Sequence, residues 1–180
     1  MTSGFKGSKE KSSEQKMIMA ADTFCTSLKR NGVNLASGVP CAVQKYIIDR
    51  LVKDAEIPYV QAAREEDAIG IGVGAYLAGK KPIILMQNSG LANCMNAFAS
   101  LLLPYRIPLL FLVTWRGCPG EDAPQHFVMG RATTGLLEVL GVPFSVLSME
   151  NVETTISNST HLMQEQHVPV VMLIRRGTFE

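Results

Sequence analysis

The spacing of apolar residues changes repeatedly along the chain, and each change marks the boundary of a predicted helix or strand. Between residues 17 and 28 apolar side chains recur every three or four residues, which is typical of a helix with one buried face. Residues 82–87 and 107–114 are instead almost continuously apolar, as in strands that are buried on both faces. The complete pattern predicts strands at 33–39, 58–62, 82–87, 107–114, 144–147 and 169–174, and helices at 15–31, 42–53, 65–78, 91–102, 152–164 and in the segment that ends at 140.

The alternation of strands with helices predicts the fold class. It indicates a three-layer α/β domain, in which a mostly parallel six-stranded sheet has helices on both faces. We assign residues 15–180 to this domain. Residues 1–14 are rich in Ser, Gly and Lys and have no apolar period, so we expect a flexible N-terminal tail there.

Composition narrows the class of protein. The chain has 180 residues, of which 47% are hydrophobic, and a formal net charge of +1, so one folded domain is expected and nothing favours nucleic-acid binding. Its four cysteines match no zinc-binding spacing, so we predict no metal site and expect free thiols in a reducing compartment. Because the longest apolar runs are strand-sized or interrupted, we expect a cytoplasmic protein with no membrane segment.

Polar or glycine-rich segments follow three predicted strands, at 63–67, 88–93 and 115–126. Open α/β sheets bind their ligands at this carboxyl edge. The first segment ends in Glu65, Glu66 and Asp67, after which no Asp or Glu occurs until residue 121. Acids at the start of a helix can simply complement the helix dipole, or one of them can be a functional carboxylate in an apolar cleft. Both interpretations are open at this point.

The other two segments also carry candidate functional groups. In the second, Asn88, Ser89 and Gly90 could hold a cofactor or substrate, although Asn and Ser are also ordinary N-cap residues. In the third, His126 is a candidate for proton transfer, although a lone histidine is more often structural. Its position at the carboxyl edge, near Arg116 and Arg131, favours the functional interpretation over the structural one.

Gly70, Gly72 and Ala75 match the spacing of a dinucleotide-binding loop. The match lies inside a predicted helix instead of in the turn that opens one, and it lacks the acid about 20 residues further on that would bind a ribose. We therefore interpret these small residues as positions where the helix packs closely against a neighbour.

Two longer segments carry a resemblance to a known family. The first, REEDAIGIGVGAYLAGKKP, resembles the pyrimidine-binding domain of thiamine diphosphate enzymes, which has an acid, a small residue three positions on and a glycine nine positions on. Here these are Glu65, Ala68 and Gly74, so the frame selects Glu65 among the three acids. The second, QNSGLANCMNAFASLLLPYRIPLLFLVTWRG, is similar to the decarboxylases of sulfopyruvate and phosphonopyruvate, as is APQHFVMGR. The resemblance runs from about residue 33 to residue 174.

The resemblance implies roles for particular residues. Glu65 is expected to bind N1′ of the thiamine diphosphate aminopyrimidine and to promote loss of the proton from C2. Asn88, Ser89 and Gly90 are expected near the cofactor. Further candidates are Gln125 and His126 for proton transfer, and Asn88, Arg116 and Arg131 for binding a small anionic 2-keto acid substrate.

The resemblance also implies a partner. The family holds Mg²⁺ and the diphosphate through a GDG-led motif in a second domain, and the chain contains no GDG. We therefore expect a beta subunit that supplies this domain and an α₂β₂ or larger assembly. Because sulfopyruvate decarboxylases are commonly split into two such subunits, the resemblance favours decarboxylation of 3-sulfopyruvate. A phosphonopyruvate decarboxylase subunit is the alternative, and a dinucleotide-dependent oxidoreductase or a non-catalytic interaction module are more distant ones.

Overall fold

The computed structural model describes residues 4–120 and 124–179. The strands are β1 (Leu35–Gly38), β2 (Tyr59–Gln61), β3 (Pro82–Gln87), β4 (Leu110–Thr114), β5 (Phe144–Leu147) and β6 (Val170–Ile174). The helices are α1 (Gly4–Arg30), α2 (Lys45–Leu51), α3 (Glu65–Leu77), α4 (Asn88–Asn93), α5 (Met95–Ala97), α6 (Phe127–Leu140) and α7 (Val152–Gln166). Short 3₁₀ turns cover Ala42–Gln44 and Pro124–His126, and a π-helical turn covers Phe98–Leu102.

The six strands form one sheet in the order β2-β1-β3-β4-β6-β5, and every neighbouring pair is parallel. This confirms the predicted α/β class. From β1 the chain goes to β2 on one side, whereas from β3 it goes to β4 on the other side. The crevice between the carboxyl ends of β1 and β3 is therefore the topological switch point, where folds of this kind bind ligands.

Two apolar clusters, one on each face of the sheet, form the core. Ile83 and Leu85 of β3 pack in one cluster with residues of α1, α2 and α7. Ile84 and Met86, the alternate positions of the same strand, pack in the other with residues of α3, α4 and α6. Since successive side chains of a strand point to opposite faces, a strand covered on both sides must be apolar at nearly every position.

Two helices begin earlier than predicted. α1 starts at Gly4 instead of residue 15, so residues 4–14 are helical. Lys, Glu and Gln have good intrinsic helix propensity, which can extend a helix without apolar periodicity; the flexibility expected of residues 1–14 stays a prediction. α4 starts at Asn88 instead of residue 91. Gln87, the last residue of β3, still has an extended backbone, and the helix begins at the next residue.

The predicted helix at 91–102 is divided into three pieces: α4, α5 and the π-helical turn. The first break is at Cys94, whose backbone leaves the helical region at φ −85° and ψ 0°. None of the described helices combines the length and the apolar character that a membrane crossing requires.

Candidate active site

The carboxyl group of Glu65 lies against the backbone of Gly90. Glu65 begins α3 four residues after the end of β2 and is half-buried, whereas Gly90 is buried in the first turn of α4. A Cβ atom at Gly90 would overlap the Cγ, Cδ and Oε1 atoms of Glu65. The missing side chain at Gly90 is therefore what leaves room for the carboxyl group between the two helices.

The three acids of α3 have different surroundings. Glu66 forms an ion pair with Arg64 at 3.4 Å, and Asp67 is exposed. Both Glu66 and Glu65 lie near the fully buried thiol of Cys94, whose pKa is raised to about 12 by burial and by these two negative charges. What distinguishes Glu65 is the contact of its carboxyl group with Gly90 between α3 and α4, although its catalytic role stays a prediction.

Asn88 makes its contacts inside the protein. Its side chain is buried, and its Nδ2 donates to the carbonyl oxygen of Arg116 at 2.8 Å and to Oγ1 of Thr133 at 3.0 Å. Its Oδ1 accepts from the backbone N–H of Arg116 at 3.3 Å. Both amide donors are therefore in use, so a contact of Asn88 with cofactor or substrate would have to come from its backbone.

A polar chain crosses the crevice between β1 and β3. The Nε2 of Gln87 donates to Oγ of the exposed Ser89 at 3.0 Å, and the thiol of Cys41 donates to Oε1 of Gln87 at 3.8 Å. Gln87, and neither Asn88 nor Ser89, is the N-cap residue of α4, and it makes no side-chain cap bond. The capping interpretation of Asn88 and Ser89 is therefore wrong.

Sequence reasoning missed the part that Gln87 and Cys41 take in this crevice. The available signal was that each lies at the carboxyl end of a strand on either side of the switch point, Cys41 three residues after β1 and Gln87 as the last residue of β3. Without the sheet order, nothing in the sequence indicates that these two strands are neighbours.

Residues 115–117, at the start of the loop after β4, pack tightly against the start of α6. The indole Nε1 of Trp115 donates to the carbonyl oxygen of Gly130 at 2.7 Å. Gly117 has a positive φ of 72°, and a Cβ atom there would overlap the carbonyl group of His126. A Cβ atom at Gly130 would in turn overlap the backbone of Gly117. Two glycines thus allow three backbone segments to approach one another closely.

The remaining predicted site residues lie on and beside this loop. Gln125 is exposed and His126 half-buried in the 3₁₀ turn that precedes α6, while residues 121–123 of the predicted loop lie outside the described range. Arg116 is half-buried, and Asn88 holds its backbone. Arg131 is exposed on α6. Because α4 packs against both α3 and α6, it lies between Glu65 and this loop.

The glycines of α3 have two different environments. A Cβ atom at Gly72 would come within 2.6 Å of Ile84, so close packing explains that position. Gly70 and Gly74 have open space around them, so the packing interpretation is wrong for Gly70 within this chain. Together with Leu77, whose exposed fraction is 75%, they form what we call the outer face of α3, and α3 carries no charge after Asp67.

Residues 18–135 match the family described as thiamine pyrophosphate enzyme, N-terminal TPP binding domain. The alpha subunit of sulfopyruvate decarboxylase from Methanococcus maripaludis is 35% identical over 156 residues, which are 86% of this chain and 93% of that protein. The corresponding subunit from Methanocaldococcus jannaschii is 38% identical over 148 residues, or 82% of this chain and 88% of that protein.

Phosphonopyruvate decarboxylase from Streptomyces viridochromogenes is 35% identical over 164 residues, which are 89% of this chain but only 41% of that protein. Among solved structures, 2-oxoglutarate:ferredoxin oxidoreductase from Magnetococcus marinus matches with a TM-score of 0.65 and 21% identity, covering 89% of this chain and 29% of that one. At this identity the structural match supports the fold alone.

Proposed function

This chain belongs to the thiamine pyrophosphate enzymes and, within them, to the family of sulfopyruvate decarboxylase alpha subunits, and we propose that together with a beta subunit it converts 3-sulfopyruvate to sulfoacetaldehyde and carbon dioxide. In this reaction the bond between the carboxylate and the keto carbon breaks, carbon dioxide leaves, and a proton takes its place on the product.

The observation that carries the proposal is the placement of Glu65 against Gly90. A carboxyl group that lies in a space left by a glycine, at the carboxyl edge of a parallel sheet, fits a family in which an acid contacts the aminopyrimidine ring. Thiamine diphosphate supplies the carbon nucleophile at its C2 atom. Glu65 would hydrogen-bond N1′ of the ring. This bond would favour the protonation state of the ring in which the C2 proton is lost.

The loop after β4 would handle the substrate. His126 and Gln125 are candidates to deliver the proton that replaces carbon dioxide, since they lie at the start of α6 next to this loop. Arg116 and Arg131 are candidates to bind the two negative charges of the substrate, because guanidinium groups pair well with carboxylate and sulfonate oxygens. Ser89 and Gly90, in the first turn of α4, would contact the cofactor.

The partner would cover the outer face of α3. This face exposes Gly70, Gly74 and Leu77, which follow the three acids at the start of α3. It therefore offers an uncharged surface to another protein. The beta subunit would hold the diphosphate and Mg²⁺, for which this chain contains no GDG motif. We propose an α₂β₂ or larger assembly, as the resemblance to a family that divides the site between two chains implies.

Phosphonopyruvate is the second candidate substrate, because decarboxylases of that keto acid also match nearly the whole of this chain. The chain spans about two fifths of such a protein, whereas it spans nearly all of the sulfopyruvate decarboxylase alpha subunits. Sulfopyruvate is our first candidate because the alpha subunits of sulfopyruvate decarboxylase match along 93% and 88% of their own length.

The proposal is tested by producing the chain together with its beta subunit and measuring carbon dioxide release from 3-sulfopyruvate and from phosphonopyruvate. We expect turnover of 3-sulfopyruvate that requires both chains, thiamine diphosphate and Mg²⁺. A complex that turns over only phosphonopyruvate would establish the alternative. Binding of NAD, with no effect of thiamine diphosphate, would contradict both decarboxylase assignments.

A further inference from the structure

We propose that Asn88 is a positioning residue for the decarboxylation, and that its side-chain amide holds residues 115–117, at the start of the loop after β4, in a fixed position relative to Glu65. The inference rests on the proposed function, since it concerns how Glu65 and His126 are kept at a fixed separation. Asn88 would act through the loop and α6, without touching the cofactor or the substrate through its side chain.

The first support is the geometry of the amide. Asn88 bonds both to the carbonyl oxygen and to the backbone N–H of Arg116, at 2.8 Å and 3.3 Å, so it fixes the orientation of that residue's main chain. Its third bond, at 3.0 Å, goes to Thr133 on α6. A single buried amide thus ties α4 to the loop and to the helix that follows it.

The second support is the continuation of these contacts to His126. The hydroxyl of Thr133 donates to the carbonyl oxygen of Met129 at 2.7 Å, which fixes the hydroxyl as the acceptor for Asn88. One residue along the helix from Met129, Gly130 accepts the bond from Trp115 and lies against Gly117, and Gly117 lies against His126. The contacts run without a gap from Asn88 to the candidate proton donor.

The third support is the position of Asn88 on α4. Residues two apart in an α-helix are rotated by about 200° around the helix axis, so Asn88 and Gly90 face opposite sides. Gly90 faces the carboxyl group of Glu65 on α3, whereas Asn88 faces Arg116 and Thr133. One turn of helix therefore sets the distance between the two halves of the proposed site, and a displacement of about 1 Å between reacting groups can lower a rate about 100-fold.

The chain supplies its own probe for this arrangement. Trp115 is the only tryptophan among the 180 residues, and its indole is bonded within the same set of contacts. Its fluorescence in the full alpha chain therefore reports whether the loop stays packed on α6, independently of any activity. Release of the loop exposes the indole and shifts its emission to longer wavelength.

The experiment compares Asn88→Ala and Thr133→Val with two controls. Thr133→Ser keeps the hydroxyl and should restore the wild-type properties. Thr160→Val is the matched control, because Thr160 is also a buried helical threonine whose hydroxyl bonds the carbonyl four residues earlier, at 2.8 Å, and it lies on α7 in contact with Asn31. It removes a comparable bond without affecting the loop.

We expect Asn88→Ala to red-shift the emission of Trp115 and to lower kcat of the alpha–beta complex 10- to 100-fold, counted per bound thiamine diphosphate, with a smaller change in KM. Thr133→Val should do the same to a lesser degree, whereas Thr160→Val should change neither property. An unshifted Trp115 emission in Asn88→Ala, or a shifted emission with wild-type kcat in an active complex, would overturn the positioning role.

Failure of the Asn88 prediction can be distinguished from failure of the proposed function. If the wild-type complex does not decarboxylate 3-sulfopyruvate, the proposed function fails, and the role of Asn88 in positioning that reaction falls with it. If the wild-type complex is active and only the Asn88 prediction fails, the decarboxylase assignment stands. The Trp115 spectra then show whether the loop was held by other contacts.

Discussion

Replacement of Gly90 by alanine is the smallest change that should disturb the proposed site. The new Cβ atom would overlap three atoms of the Glu65 side chain, because Gly90 and the carboxyl group are in direct contact. Carbon atoms that are not bonded pack at about 3.5–4 Å, so the carboxyl group would have to withdraw by about 1 Å or more. The substitution moves Glu65 without changing its chemistry.

The expected effect follows from that displacement. A shift of about 1 Å in a catalytic group costs about 100-fold in rate, which corresponds to about 2.7 kcal/mol of transition-state stabilisation at about 1.4 kcal/mol per tenfold. Stability should fall less than activity, since alanine favours a helix by up to about 1 kcal/mol over glycine and offsets part of the local crowding.

The assay is kcat/KM for 3-sulfopyruvate of the complete complex, measured beside thermal unfolding of the alpha chain. Gly135→Ala serves as the control, because Gly135 is also helical but an added Cβ atom there meets open space. It should keep wild-type activity. A folded Gly90→Ala variant with wild-type kcat/KM would refute the idea that the contact between Gly90 and Glu65 sets the position of the carboxyl group.

Three further substitutions test other parts of the account. Leu77→Asp on the outer face of α3 should weaken binding of the beta subunit at least 10-fold by titration, whereas Val139→Asp, at a residue 87% exposed on α6, should not; equal effects would argue against this face. Asp54→Asn removes a carboxylate bonded to Lys29 and Arg50 at 2.8 Å and should cost about 3 kcal/mol at pH 7 in urea unfolding. Burial opposes ionisation of Asp54, yet the bond from Lys29 and two backbone N–H groups lower its pKa to about 2 from 3.8, so the deficit should shrink as the pH falls from about 4 to 2; a constant deficit would contradict this. His167→Gly should raise stability by about 0.5–1 kcal/mol in the same assay, because the residue has a positive φ of 52°; a loss would show that its side chain contributes more.

The sequence predicted the strands better than the helices, for a physical reason. A strand covered on both faces must be apolar at nearly every position, so β3 was predicted with its observed bounds. The bounds of the edge strand β5 were also predicted, although only its last residue is buried. The start of α1 depends on backbone propensity in a polar segment, where apolar spacing carries no information. The order of the strands, with β6 between β4 and β5, depends on packing between distant segments and could not be inferred from local pattern.

One residue of the site could be predicted, because the small residues that follow it distinguish it from the neighbouring acids. The family's frame, matched here by Ala68 and Gly74, selected Glu65, whose carboxyl group lies against Gly90 in the structure. Nothing comparable distinguished Asn88, because a polar residue after a strand looks the same whether it faces a ligand or a neighbouring loop. Its inward role became visible only with Arg116 and Thr133 in place.

Glu65 is proposed to activate thiamine diphosphate, and this role is tested by the rate at which the bound cofactor exchanges its C2 proton for deuterium. The comparison is between the wild-type complex, Glu65→Gln and Glu66→Gln, since Glu66 is the adjacent acid and pairs with Arg64 instead. With cofactor bound in all three, we expect the C2 proton to exchange at least about 100-fold more slowly in Glu65→Gln than in the wild type, and at the wild-type rate in Glu66→Gln. Exchange at the wild-type rate in Glu65→Gln would contradict it.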